Sequence, residues 1–393
     1  MSALSPDWLN PDPWLARARN TDARAVRQAL ATECPGIAEL AALLSPAAGE
    51  TLERLAGRAQ LITRRQFGRT ITLYVPLYLS DFCKNGCIYC GFAADRRRPR
   101  RRLERDDIIA EMDTLKAMGF EDILLLTGER TPHADFDYVC ASVALATERF
   151  DLVTVEVFPM TREEYHALAT AGCTGMTMYQ ETYDPAVYER MHRWGPKRDY
   201  QYRLETPARA LAAGLRTAGL GTLLGLADPV RDALALFQHV QTLRKQYWRS
   251  GISVSFPRIR PQLGGFTPPF PVSNRFLTQM ICAFRICMPD LSLTLSTREP
   301  AWFRDGIAGI GINKMSIASR TTVGGYHDGS AADDGLSAYA RLARAGQGAP
   351  ARELGQGQFK VSDNRSIEAF CAMLKSKELE PVFKNWDAVY RDS

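Results

Sequence analysis

Short apolar runs alternate with amphipathic segments through most of the 393-residue chain. Eight of these runs have the length and the β-branched or aromatic content of strands. They cover residues 71–78, 123–127, 153–158, 175–180, 219–226, 252–256, 291–296 and 310–316. The segments between them have helical periodicity, as in DDIIAEMDTLKAMG and RDALALFQHVQTLRKQYW. The pattern therefore predicts strands and helices in alternation.

Such alternation predicts parallel strands joined by right-handed helical crossovers. Eight units within residues 71–320 match the length of a (β/α)8 barrel, about 250 residues, so an α/β fold of TIM-barrel type is predicted. A doubly wound open sheet has the same alternation and stays the alternative. Residues 1–70 are predicted to form an N-terminal helical extension, with Thr21 as the cap of the helix that begins TDARAVRQAL. Residues 321–393 are predicted to form a C-terminal segment that covers the barrel.

Polar residues follow several of the predicted strands. TGE follows the second strand at 127–129, Glu156 ends the third, QETY follows the fourth at 180–183 and STRE follows the seventh at 296–299. In a barrel of this type the functional residues come from the carboxyl ends of the strands. These groups therefore indicate one site at one rim.

The loop after the first strand, DFCKNGCIYCGF, contains Cys83, Cys87 and Cys90 in C-x3-C-x2-C spacing. No fourth cysteine and no histidine lies within thirty residues on either side. A structural zinc site takes four protein ligands, commonly from paired cysteines, so this spacing disfavours one. Iron–sulfur clusters are held by cysteine thiolates at short spacings of this type. Three such ligands on a four-iron cube leave one iron open to a chelating ligand.

Composition and charge narrow the class of protein. The chain is 46% hydrophobic and 24% charged, with a net charge of +5, which is typical of a globular enzyme and does not indicate nucleic-acid binding. No apolar run reaches the roughly 18–20 residues of a membrane span, and the first residues lack the features of a signal peptide. A cytoplasmic location is predicted, where thiols stay reduced. The one basic cluster, RRRPRRR at 96–102, is either a solvated loop or a docking patch for an acidic partner.

The cysteine loop, with Tyr89 just before its last cysteine, resembles the signature of radical S-adenosylmethionine enzymes. Other stretches, among them LLLTGER, YQETYDPAVYERMH and LSTREPAWFRD, closely resemble the 2-iminoacetate synthases, the tyrosine lyases of thiamine biosynthesis. The resemblance implies one [4Fe-4S] cluster and S-adenosylmethionine as cofactors. It also implies cleavage of the Cα–Cβ bond of L-tyrosine to 2-iminoacetate and 4-methylphenol, while S-adenosylmethionine becomes 5′-deoxyadenosine and methionine. The implied partners are thiazole synthase (ThiG) and a flavodoxin- or ferredoxin-type electron donor.

Two related enzymes and one different class stay as alternatives. The tyrosine lyase of hydrogenase maturation has the same barrel but carries a second cluster on a cysteine-rich C-terminal extension. Only Cys371 follows Cys287 here, so that extension is not expected. A tryptophan lyase of antibiotic biosynthesis shares the barrel. A zinc-stabilised module whose basic loop binds nucleic acid would explain the cysteines and arginines, but not eight βα units.

The resemblance also implies roles for single residues. Cys83, Cys87 and Cys90 match the cluster ligands, and Tyr89 lies near the adenine of S-adenosylmethionine. Glu129 contacts the methionyl amino group, and Thr127 stands where the family often has a glycine. Glu156 hydrogen-bonds the cofactor ribose or a neighbouring arginine. Arg203 pairs with the cofactor carboxylate, the alternative being a surface ion pair.

Arg298 is expected to bind the substrate carboxylate, because a guanidinium presents a planar fork that fits a carboxylate. Ser319 and Arg320, after the last predicted strand, either contribute to the same site or are ordinary loop residues. Arg298, Tyr89 and Ser319 are the predicted catalytic residues. The five histidines are scattered, and none is assigned a role.

Overall fold

Eight parallel strands close into a barrel in a computed structural model, which describes residues 6–327 and 357–384. Strand β1 pairs with β2 on one side and with β8 on the other, so the ring is complete. This closure confirms the barrel and excludes the open sheet. The strands are β1 (Thr70–Tyr78), β2 (Asp122–Leu126), β3 (Leu152–Glu156), β4 (Gly175–Glu181), β5 (Thr217–Thr222), β6 (Gly251–Ser255), β7 (Ser292–Leu295) and β8 (Lys314–Ser316). Each of the eight predicted runs overlaps one of them.

Helices connect the strands and form the outer layer. Several begin at a side chain that accepts a hydrogen bond from a backbone N–H of the first turn, as Asp135, Thr161 and Ser273 do. Their apolar faces lie on the barrel, where they bury most of the core. They are α6 (Arg105–Ala117), α7 (Phe136–Thr147), α8 (Arg162–Thr170), α9 (Pro185–Met191), α10 (Tyr200–Leu204), α11 (Thr206–Ala212), α12 (Pro229–Gln246), α13 (Asn274–Cys287) and α14 (Ala301–Ile307).

Five helices precede the barrel, and α5 packs against α13. They are α1 (Asp12–Arg19), α2 (Ala23–Ala31), α3 (Ile37–Leu43), α4 (Pro46–Gly49) and α5 (Leu52–Phe67). The predicted cap of α2 is wrong by one residue. Asp22 accepts the hydrogen bond from the Ala25 N–H at 2.8 Å, while the Thr21 hydroxyl donates to the Arg17 carbonyl at the end of α1. A carboxylate at this position also interacts favourably with the helix dipole.

The described C-terminal residues return to the barrel. Helix α15 (Ile367–Ser376) leads into a ninth strand, β9 (Glu380–Val382), which pairs in parallel with the start of β1. Strand β9 was not predicted, because three residues that include a glutamate and a proline show no strand alternation. Residues 357–366 cross the rim, where four backbone N–H groups donate to the three loops that follow β8, β6 and β7. In the parts of the chain described, no helix combines the length and apolar character needed to cross a bilayer.

Candidate active site

The cysteine loop lies at the carboxyl end of β1 and is held by the loop that follows β4 and α9. Cys87 forms an isolated antiparallel bridge with His192, and the Gly86 N–H donates to the Trp194 carbonyl at 2.9 Å. Cys87 is buried, whereas Cys83 and Cys90 are partly accessible. The loop therefore presents its thiols to the barrel mouth from a fixed backbone.

The three thiols share one environment. Burial raises the pKa of Cys83 and of Cys87, and in both cases the negative charge of Cys90 raises it further. Two sulfurs accept backbone hydrogen bonds, Cys83 from the Glu129 N–H at 3.4 Å and Cys90 from the Phe92 N–H at 3.3 Å. Thiolates that repel one another in a buried site are stabilised by a shared positive centre. N–H···S hydrogen bonds are one determinant of the reduction potential of iron–sulfur clusters.

The geometry fits a cluster better than a single ion. Among the residues that the structure describes, no group of three histidine, cysteine or carboxylate side chains is arranged to hold one metal ion. A four-iron cube binds each thiolate through a different iron atom, so its ligands need not converge on one point. Three neighbouring cysteines without a fourth ligand fit such a cube with one open iron.

The loop after β2 packs directly on the cysteine loop. A Cβ atom on Gly128 would lie 2.3 Å from the Phe82 carbonyl oxygen, so a side chain has no room there. The next residue, Glu129, is buried and accepts hydrogen bonds from the Asn85 side chain at 2.9 Å and from the Arg130 N–H at 3.1 Å. Glu129 thus lies beside the cysteines, as its predicted role requires. Asn85 was not predicted, although its place between two of the cysteines was a usable signal.

A buried ion-pair network lies at the end of β4. Glu181 has a φ of 72° and follows a register shift against β5, a conformation that is costly for a residue other than glycine and is common at functional sites. Its carboxylate accepts hydrogen bonds from Lys197 at 2.6 Å and from Arg203 at 3.4 Å. Arg203 also donates to the Tyr179 carbonyl at 2.8 Å and is buried, so the surface ion pair is excluded. Glu181 belongs to the predicted rim residues but had no predicted role, and Lys197 was not predicted.

Tyr89 is fixed by a histidine that sequence analysis left without a role. Its hydroxyl lies 2.7 Å from Nε2 of His192, and Nδ1 of the same ring lies 2.7 Å from the Tyr188 carbonyl. A carbonyl only accepts, so Nδ1 carries the proton and Nε2 accepts from Tyr89. Burial lowers the pKa of His192 well below its ordinary value, which keeps the ring neutral. Nothing in the local sequence marks this histidine, because the contact spans 103 residues.

Glu156 lies inside the barrel mouth at the end of β3. Burial raises its pKa to about 7, against the opposing effect of Arg298 and with a further contribution from Glu181. None of the described arginines hydrogen-bonds its carboxylate, which leaves the cofactor ribose as the predicted partner. Its negative charge also raises the pKa of Tyr78 and Tyr179, which places it among aromatic side chains of the barrel.

Arg298 faces the same space. Its guanidinium carbon lies 3.4 Å above the ring centroid of Phe359, in the segment that crosses the rim. Glu299 and Asp305, the nearest carboxylates in sequence, are paired with other arginines. Within residues 6–327 and 357–384, Arg298 forms no ion pair. A guanidinium that stacks on an aromatic ring and forms no ion pair among the described residues is suited to bind an anionic ligand.

The residues after β8 divide between the interior and the surface. Ser319 is nearly buried, and its hydroxyl lies 3.2 Å from that of Ser316. The side chain of Arg320 is exposed, so it is not brought into the site. A cavity of about 230 Å³ lies nearer the opposite end of the barrel, lined by strand residues such as Thr72, Thr217 and Lys314. None of the predicted site residues lines that cavity.

Comparisons with known proteins agree with this geometry. Residues 77–237 match the model of the radical SAM superfamily, and residues 255–380 match the biotin and thiamin synthesis associated domain. The chain is 41% identical to the 2-iminoacetate synthase of Escherichia coli strain K12 over 391 residues, which cover 99% of this chain and 98% of that protein. It is 42% identical to the 2-iminoacetate synthase of Salmonella typhimurium over 351 residues, with coverage of 89% and 87%.

A solved structure supports the same fold. HydG, a maturase of the [FeFe]-hydrogenase, aligns with a TM-score of 0.87 and 27% identity, and the alignment covers 98% of this chain and 82% of HydG. The sequence identity to HydG is well below the identity to the two synthases. The alignments with the synthases cover 99% and 89% of this chain. The chain therefore belongs to the 2-iminoacetate synthase family of the radical SAM superfamily.

Proposed function

We propose that the protein is a tyrosine lyase that cleaves the Cα–Cβ bond of L-tyrosine to give 2-iminoacetate and 4-methylphenol. One observation carries the proposal above the others. A loop with three neighbouring cysteines, and no fourth cysteine within thirty residues in the sequence, lies at the rim of a barrel whose sequence is 41% identical to a 2-iminoacetate synthase over almost its full length.

The rim residues divide between the two cofactors. Cys83, Cys87 and Cys90 hold a [4Fe-4S] cluster, which when bound supplies the electron that splits S-adenosylmethionine into methionine and a 5′-deoxyadenosyl radical. Glu129 accepts a hydrogen bond from the methionyl amino group. Arg203 presents its guanidinium to the methionyl carboxylate, while Glu181 and Lys197 keep it in place.

Three further side chains complete the cofactor pocket. Tyr89, locked through His192, borders the adenine. Glu156 accepts from the ribose hydroxyls, which removes the need for an arginine partner. Its pKa of about 7 means that a neutral carboxyl is accessible near neutral pH before the cofactor binds.

Arg298 binds the carboxylate of tyrosine, and Ser319 borders the same end of the pocket. Phe359 stacks on the guanidinium and restricts its rotation, so the fork is oriented before substrate arrives. Fixing the carboxylate fixes which hydrogen of tyrosine lies nearest the attacking carbon, and positioning of this kind dominates selectivity. The hydrogen selected is on the amino nitrogen, and its removal is followed by Cα–Cβ cleavage.

Partners and location follow from the same chemistry. 2-Iminoacetate is a reactive imine, so a thiazole synthase (ThiG) that consumes it at once is the proposed acceptor. A flavodoxin- or ferredoxin-type protein is the proposed electron donor. All nine cysteines are free thiols, which suits the reducing cytoplasm as the place of reaction.

The decisive experiment is anaerobic reconstitution with iron and sulfide, followed by reaction with S-adenosylmethionine, dithionite and one aromatic amino acid at a time. We expect a brown protein that forms 5′-deoxyadenosine and 4-methylphenol from tyrosine. A product from tryptophan instead of tyrosine would make it a tryptophan lyase, and a colourless zinc protein would overturn the proposal altogether. Cys83→Ala should abolish cluster binding, whereas Cys173→Ala, a buried thiol far along the chain, should not.

A further inference from the structure

We propose that Arg96, Arg98 and Arg100 form a clamp that holds the cysteine loop in its binding shape before any cluster is present and offsets the negative charge of the cluster afterwards. The second half of this inference rests on the proposed function, and the first half does not. Hereafter the three residues are called the arginine clamp.

The basic segment alternates between two environments. Arg96, Arg98 and Arg100 are partly buried, whereas Arg97 and Arg101 are exposed. An extended chain places every second side chain on the same face. Pro99 favours this conformation, because a residue before proline is driven towards extended geometry. One face of the segment therefore presents three guanidinium groups to the cysteine loop, and neither a solvated loop nor a docking patch describes those three.

Arg100 connects the two ends of the cysteine loop. Its Nη1 donates to the Asp81 carbonyl at 2.7 Å and to the Phe92 carbonyl at 2.9 Å, and its Nη2 donates to the Ala93 carbonyl at 2.6 Å. Asp81 precedes the first cysteine, and the other two residues follow the last. One side chain thus fixes the separation of the loop's entry and exit.

Arg96 holds the middle of the loop. Its Nη2 donates to the Ile88 carbonyl at 2.8 Å, and its Nε donates to the Cys90 carbonyl at 3.3 Å. The guanidinium is covered on its outer side by Gly264, where a Cβ atom would lie 2.4 Å from the guanidinium carbon. The loop after β6 therefore presses Arg96 onto the cysteine loop.

Arg98 supplies the third contact. It forms a buried ion pair with Asp81 and lies over the ring of Phe92, with 5.1 Å between the guanidinium carbon and the ring centroid. The other Asp81 carboxylate oxygen accepts from the Arg101 N–H at 2.7 Å, which closes the base of the loop. None of the contacts made by the clamp uses a thiol as acceptor, so all of them can form in the cluster-free protein.

The clamp also carries surplus positive charge. Three guanidinium groups lie against the loop, and within the described part of the chain their ion-pair partners are the carboxylates of Asp81 and Asp95. Arg98 lies close enough to Cys90 for the thiolate to influence it, and its Nη1 is buried without a hydrogen-bond partner among the described residues. A buried negative cluster requires nearby positive charge, and net charge is one determinant of its reduction potential.

The first test uses the cluster-free protein. In Arg100→Gln and in Arg96→Gln, we expect the backbone amides of residues 82–94 to exchange with solvent about tenfold faster than in the wild type, since each variant loses hydrogen bonds from a charged donor. Arg105→Gln, which removes an exposed arginine just beyond the segment, is the matched control and should leave exchange unchanged. Exchange in α12 reports global stability and should be the same in all four proteins.

The second test uses the reconstituted protein and separates shape from charge. Arg100→Gln should lose its cluster to a chelator about tenfold faster and have a lower midpoint potential, whereas Arg100→Lys should retain the wild-type potential but lose part of the amide protection. Unchanged exchange in Arg96→Gln and Arg100→Gln overturns the clamp. An unchanged potential in Arg100→Gln overturns the charge role. If the wild type takes up no cluster, it is the proposed function that fails, and the exchange result still decides the clamp.

Discussion

Arg298 differs from the other arginines at the rim in having no acidic partner among the described residues. Arg258 and Arg260 both pair with Glu299, and Arg304 pairs with the buried Asp363. A charge that is already paired is held in place and is not available to a ligand. Stacking on Phe359 orients Arg298, and within residues 6–327 and 357–384 no acceptor occupies its side-chain donors.

Substitution of Arg298 should therefore uncouple the reaction without preventing assembly. We expect Arg298→Lys and Arg298→Ala to bind the cluster and S-adenosylmethionine but to form 4-methylphenol at least about a hundredfold more slowly, because a misplaced substrate loses much of the advantage of positioning. The measurement is the ratio of 5′-deoxyadenosine to 4-methylphenol. Coupled, near-normal turnover in Arg298→Lys would show that the fork does not hold the substrate.

Glu156 gives a pH dependence with a defined sign. Its pKa is raised from 4.5 to about 7, so the folded protein binds this proton more tightly than the unfolded chain does. The contribution of Glu156 to stability is therefore largest below pH 4.5, falls as the pH rises from 4.5 to about 7, and is constant above that. In the cluster-free protein, Glu156→Gln should become more stable relative to wild type by on the order of 1 kcal/mol between pH 5 and pH 8.

Denaturant unfolding at the two pH values measures this difference. Glu53→Gln, which changes an exposed glutamate on α5, should show no such gain. Equal pH dependence in wild type and Glu156→Gln would mean that the carboxyl is already ionised without cost inside the barrel.

At the scale of elements, the site depends on two loops that touch without a side chain between them. Gly128 lets the loop after β2 lie against Phe82 in the cysteine loop. The Glu129 N–H then reaches the Cys83 sulfur. Replacing this glycine forces the two loops apart and breaks the N–H···S contact.

Gly128→Ala should therefore lower cluster occupancy after reconstitution severalfold and destabilise the protein by about 1–3 kcal/mol, the usual cost of overpacking. Iron content and thermal unfolding measure the two effects. Gly57→Ala is the matched control, since no atom lies within 4 Å of its Cβ position in α5 and alanine favours helix more than glycine does. If Gly128→Ala binds iron as the wild type does, the close contact is not needed for the cluster.

The strands and helices were largely predictable from sequence, whereas the side-chain contacts between distant segments were not. Eight buried parallel strands produce strong apolar runs, and Cys83, Cys87 and Cys90 are marked by local spacing. Glu181 and His192 act through partners in other segments, so no local pattern identifies them. The alternation of arginines in and out along residues 96–102 depends on an extended conformation that composition does not reveal.

At the scale of the whole molecule, the described residues surround the rim unevenly. Residues 357–366 bind loops after β6, β7 and β8 and so cover the rim on the side of Arg298. The cysteine loop follows β1, and the outer face of the basic segment beside it remains exposed at Arg97 and Arg101. The proposed acidic electron donor would meet a basic surface beside the cysteine loop at this outer face, whereas the arginine clamp faces inward.

The donor surface leads to a prediction about rates. Arg97→Ser combined with Arg101→Ser should slow turnover driven by an acidic flavodoxin- or ferredoxin-type protein about tenfold at low salt, because electrostatic steering raises association rates. Turnover with dithionite should change little, since the small reductant needs no docking. The wild-type rate with the protein donor should also fall as salt is added, because charges are screened beyond about 8–10 Å at physiological ionic strength.

The matched control for this surface removes the same charge elsewhere. Arg24→Ser combined with Arg27→Ser changes two exposed arginines on α2 in the N-terminal extension and should leave both rates unaltered. Equal loss from the two double variants would point to net charge alone and not to a docking surface. Equal loss with dithionite and with the protein donor would place the effect in the cysteine loop itself, where the inward-facing residues of the same segment act. Because partly buried and exposed arginines alternate along residues 96–101, the two roles can be separated one residue at a time.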